Sequence, residues 1–171
     1  MFGKFISLTM GLFLFSNLIA LQAEASGEGS ATKYQWTNFQ VGGISTWQGY
    51  GQSGGGVIRY LPSYSWNEEW TLGISFDAAY LKLNTNVSFA GIGYMGFLKR
   101  KVSDRWALQL NAGAQTWTCD GCETKPVFGP TISYNVTSEK LSWIKDLWLA
   151  YLPVFHDETA HEVQLGLGIR F

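Results

Sequence analysis

Residues 160–171 read AHEVQLGLGIRF, and they constrain the fold more than any other stretch. Val163, Leu165, Leu167, Ile169 and Phe171 are apolar. Glu162, Gln164, Gly166, Gly168 and Arg170 between them are polar or small. This is strict alternation with a period of two. An extended strand here has one greasy face and one that is not.

The same alternation recurs upstream. Residues 36–46 set Phe39 and Val41 against Asn38, Gln40 and Gly42. Residues 57–64 set Ile58, Tyr60, Pro62 and Tyr64 against Arg59. The clearest case is residues 70–80, where Trp70, Leu72, Ile74, Phe76, Ala78 and Tyr80 alternate with Thr71, Gly73, Ser75, Asp77 and Ala79. Residues 87–99 form a fourth strand whose two faces are both fairly apolar, so the pattern does not orient it. Further strands are expected at residues 105–115, 128–136 and 147–155. Turns read SWNEE, KRKVSD, TSEKLSW and HDETA. Aromatic residues make up 16% of the chain, with 8 Trp, and Gly is abundant at 20. No convincing 3.6-residue period appears after the first 25 residues. Together these predict an all-β fold with many turns. Eight such strands, each near the ~9–11 residues that cross a bilayer when tilted, predict an eight-stranded antiparallel up-and-down transmembrane β-barrel.

The final strand carries a resemblance. Alternating apolar residues ending on Phe171 look like the closing strand of bacterial outer-membrane β-barrels, and eight strands make the chain similar to the small OmpA/OmpX-like group. The likeness is architectural. It implies that the strand ending at Phe171 is what the outer-membrane assembly machinery recognises. It also implies contact with outer-membrane lipid and lipopolysaccharide. One feature departs from the group: the turns and loops at the two ends are similar in length.

The start of the chain fits export. Lys4 precedes an apolar run over residues 5–20, and Ala23-Glu24-Ala25 is a small-x-small site. Cleavage after Ala25 would leave residues 26–171 as one barrel domain, beginning with a polar leader at residues 26–35. The run is short for a retained spanning helix. The domain would carry 11 basic and 12 acidic residues, once Lys4 and Glu24 are taken from totals of 12 and 13. No basic patch points to nucleic acid, and no cofactor is indicated.

Parity puts both chain ends and three turns in the periplasm if the last strand ends there. Four outer loops would start near Trp47, Asn84, Cys119 and His156. Trp36, Trp66, Trp70, Trp106 and Trp143 then fall at periplasmic strand ends, Trp47 and Trp117 at outer ends, and only Trp148 deeper in a strand. Rings banded at two levels suit the water–lipid boundaries of a membrane barrel. The polar face also has a meaning. A soluble barrel points its apolar set inward, whereas a membrane barrel points it at lipid. Scattered charges would then occupy the lumen: Arg59, Asp77, Arg105, Glu162 and Arg170. A network that plugs the barrel and a narrow pore are both open on sequence grounds, and the small bore of eight strands favours the plug.

Other motifs carry competing readings. WQGYGQSGGG has no Lys in phosphate-loop spacing and no following helix, so it reads as a flexible loop. Cys119 and Cys122 form a CxxC in an expected outer loop, where a local disulfide suits an oxidising compartment. A redox site would want a helix behind it. With His156 and His161, the same pair has zinc-compatible spacing. Lipid A deacylases of this fold carry a His-x-Ser pair, but here neither His is followed by Ser two residues on. No nucleophile–base pair is visible. The expectation is a structural or surface-interaction protein. A lipid A-modifying enzyme, a narrow channel for small solutes and a soluble periplasmic lipid-binding barrel are the alternatives.

Overall fold

The computed structural model describes residues 34–36, 38–48, 51–83, 88–118, 123–136, 139–155 and 160–169. Ten strand segments follow one another: β1 (Tyr34–Gln35), β2 (Phe39–Gln48), β3 (Gly51–Tyr60), β4 (Ser63–Ser65), β5 (Trp70–Leu83), β6 (Ser88–Lys101), β7 (Trp106–Trp117), β8 (Lys125–Asn135), β9 (Ile144–Tyr151) and β10 (His161–Ile169). A 3-10 turn, Glu139–Leu141, lies between β8 and β9.

All pairings are antiparallel, and the ring closes where β10 meets β2 and β5 meets β6. The ten segments amount to eight walls. β1 pairs with β4 and β2 pairs with β3, so residues 34–65 make one long hairpin interrupted on both sides. The interruption in the second side falls at Leu61 and Pro62. Proline has no N–H to give a ladder, and here its carbonyl accepts from the Ile74 amide instead. The expected strand at 57–64 is therefore two pieces. Likewise, the polar leader expected at 26–35 contributes its last two residues to the sheet.

The faces are inverted relative to a soluble protein. Ile58, Ile74, Phe76, Tyr94, Leu110, Phe128, Leu149 and Leu165 are exposed on the outer wall. Gln40, Ser75, Gln109, Asn111, Thr131, Ser133, Gln164 and four charged residues are buried inside. Period-two alternation drives both sets. β6, which the sequence left unoriented, turns Met95 and Phe97 inward and Ile92, Tyr94 and Leu98 outward. Its register with β5 fixes this, because Asp77 faces Gly93 and Ser75 faces Met95.

The glycine run expected as a loop is mostly strand. Gln48 already pairs with Gly51, and residues 51–56 continue as β3. The reason is close approach. A Cβ on inward-facing Gly55 would run into the Tyr80 carbonyl of the next strand. Glycine is what lets a strand bend this tightly against its neighbour in a narrow barrel.

The strand expected at 147–155 begins earlier and stops at Tyr151. Pro153 breaks its ladder, and only isolated bridges at Val154 continue it. Between β8 and β9 the register runs only from Thr131 to Asn135, whereas β5 and β6 pair from Trp70 to Lys82.

Candidate functional site

The lumen gathers the buried chemistry. Arg59 and Asp77 face each other across β3 and β5, so the ladder itself sets the pair. Arg59 Nε donates to both Asp77 oxygens, at 3.1 and 3.3 Å, and Ser75 Oγ donates to one of them at 3.0 Å. Arg59 is 0% exposed and Asp77 4%. The guanidinium carbon sits 5.0 Å from the centre of the Trp148 ring, within cation–π range. Trp148 lies opposite Gly166 in the β9–β10 register. A Cβ at Gly166 would come within 2.8 Å of the Trp148 ring, so the glycine makes room for the indole at the centre of the barrel.

Two bonds cross the lumen between walls that are not neighbours. Glu162 on β10 accepts from Gln115 on β7 at 3.3 Å, and from Gln164 on its own strand at 2.6 Å. Gln40 on β2 donates to Asp146 on β9 at 3.3 Å. Between the adjacent walls β7 and β8, Asn111 donates to the Gly129 carbonyl and to Thr131, both at 3.0 Å, and it accepts from Gln109 on its own strand. Toward the rim away from the chain ends, an apolar cluster takes over, including Ile44, Val57, Leu81, Met95, Val127, Leu152 and Val154. Between the two zones lies a cavity of about 10 Å³ touched by Asp77, Gln115, Met95 and Glu162. That is room for about one water molecule.

The residues singled out in the sequence separate clearly. Arg59, Asp77 and Glu162 line the lumen. Arg105 does not: it is exposed at the β6–β7 turn, where Nη1 donates to the Tyr134 hydroxyl at 3.2 Å. The parity that suggested an inward side chain ends with the strand, and β7 begins only at Trp106. Arg170, Cys119, Cys122 and His156 lie outside the described residues. His161 is on the outer wall, stacked between Trp47 and Tyr151, with Nδ1 2.7 Å from the Tyr151 hydroxyl.

Asp146, also inward, was missed: the exposed Leu147 and Leu149 alternate with the buried positions along β9, and that period was the available signal. The apolar inner cluster carried no signal, because alternation labels faces by polarity. Trp117, expected at a boundary, instead folds inward over Gly91. Trp66, Trp106 and Trp143 stand exposed at the rim holding the chain ends, with Trp36 and Trp70 half-buried beside them.

The closed ring of eight antiparallel walls, apolar outside and polar inside, has counterparts among solved structures. The crystal structure of Ail, the attachment invasion locus protein of Yersinia pestis, superposes with a TM-score of 0.57 at 16% identity, covering 78% of this chain and 97% of that one. Ail in a complex with the heparin analogue sucrose octasulfate gives 0.54 at 14%, covering 78% and 97%. The backbone structure of Yersinia pestis Ail in a phospholipid bilayer nanodisc gives 0.53 at 14%, covering 80% and 100%. The fold is that of a small transmembrane barrel. In fold it resembles small outer-membrane barrels such as Ail. No family model matches the chain, and no curated protein matches it.

Proposed function

We propose that this chain is a small bacterial outer-membrane barrel with a plugged lumen, exported after cleavage near Ala25 and assembled through the strand ending at Phe171. Its work is structural or is done by surface contacts of the loops at the rim away from the chain ends, in a leaflet of lipopolysaccharide. One observation carries the reading. The barrel interior is filled by cross-lumen hydrogen bonds and an apolar layer, while a belt of exposed aliphatic and aromatic side chains surrounds it. A closed lumen moves any function to the loops and the outer wall. A soluble lipid carrier would need an apolar chamber, and polar side chains occupy that space here.

The test has two parts. Membrane fractionation with electrophoresis before and after boiling should give a membrane-bound band that shifts on heating, because every wall is paired within a ring. Planar-bilayer recording of the same protein should give no stepwise conductance. A soluble, unshifted protein refutes the membrane reading, and steady unitary currents refute the plug.

A further inference from the structure

We infer that the outer wall at the rim holding the chain ends carries a docking site for the phosphate of an anionic phospholipid, built on Arg100 and Arg105. This rests on the membrane-barrel reading above. Four adjacent walls contribute a staggered row. Trp70 on β5 pairs with Arg100 on β6, whose partner on β7 is Leu108, and two residues nearer the turn Trp106 on β7 pairs with Tyr134 on β8. Two residues further along each strand from these four lie Leu72, Leu98, Leu108 and Ile132, all exposed and apolar. The row therefore sits where hydrocarbon gives way to head groups.

Both guanidinium groups are held at that level by aromatic partners. Arg100 lies over the Trp70 ring at 5.3 Å, and Arg105 donates to the Tyr134 hydroxyl, whose ring meets Trp106 edge-on at 4.9 Å. The hairpin is rich in positive charge: Lys99, Arg100, Lys101 and Arg105 against Asp104. Lys101 and Asp104 satisfy each other at 2.9 Å. Arg100 has only a loose contact with Glu69, at 4.0 Å and with both side chains more than half exposed. A planar donor fork fits a phosphate diester in a way that a weakly paired surface carboxylate does not replace. Each basic group near an anionic leaflet favours binding about fivefold.

The experiment is native mass spectrometry of protein purified from expressing-cell membranes into micelles holding equal phosphatidylglycerol and phosphatidylcholine of matched chains. The wild type should retain phosphatidylglycerol over phosphatidylcholine. Arg100→Gln with Arg105→Gln should bring the ratio near one, and Glu69→Gln should raise it. Lys82→Gln, at the opposite rim, should leave it alone. Equal ratios in the wild type and the double variant overturn the site, as does a loss with Lys82→Gln equal to that of the double variant. A heat-shift gel on each sample separates the causes. A shifted barrel without lipid preference refutes this site alone, whereas an unshifted protein refutes the membrane reading beneath it.

Discussion

Arg59→Met tests whether the lumen is a dry plug. The arginine is wholly buried, and Asp77 beside it nearly so. Removing the guanidinium leaves the Asp77 carboxylate with the Ser75 hydroxyl donating to it at 3.0 Å, and with the Glu162 carboxylate bordering the same cavity. Breaking one side of a buried pair costs about 3–5 kcal/mol. Loss of the cation above Trp148 accounts for about 0.5–2 kcal/mol within that. Asp77→Asn strands the arginine instead and should cost a similar amount. The double variant Arg59→Met, Asp77→Leu removes both charges and should recover most of the loss, since apolar replacement of a buried pair is close to neutral. Equilibrium urea unfolding in phospholipid vesicles, read by the heat-shifted gel band, measures all three. A single-variant cost under about 1 kcal/mol, or costs that simply add in the double variant, would mean that water bathes both charges. The plug would then be a hydrated channel.

Leu165→Arg on the outer wall, midway along β10 and 61% exposed, should cost about 2–4 kcal/mol in vesicles, as a charge in hydrocarbon does. A cost within about 0.5 kcal/mol, as for a surface change in water, would put this face in solvent. Gly166→Val should block formation of the heat-shifted band, because the new side chain meets the Val41 carbonyl and the Trp148 ring. Gly166→Val combined with Trp148→Ala should remain impaired, since the Val41 clash is backbone. Hydrogen exchange in micelles should find the amide of Phe155, which donates to the Pro126 carbonyl, exchanging before those of β5 and β6, because the β8–β9 ladder ends at Thr131 while the β5–β6 ladder runs the length of both strands. Equal protection along both seams would refute that ranking.

Alternation alone was enough to find the walls. Leu72, Ile74 and Phe76 against Ser75 and Asp77 can only be an extended strand with two unlike faces. Eight such strands with sparse charge also implied which face meets lipid. Strand ends were less legible. Pro62 and Pro153 were read within strands, and where each stops a ladder depends on what its neighbour offers. The glycines at 51–56 were read as a loop because glycine alone favours turns. Only the close passage of Tyr80 against Gly55 shows why they belong in a wall.

The division between the two kinds of knowledge is physical. Side-chain parity is local, since it follows from the geometry of one chain, and so Arg59, Asp77 and Glu162 could be placed inside from the sequence. Partnership is not local. That Gln115 reaches Glu162 across two intervening walls, or that Trp148 fits because Gly166 has no side chain, depends on strand order, register and bore. Arg105 marks the boundary. Its parity predicted the lumen, but the strand had already ended, and tertiary structure turned it to the outer rim.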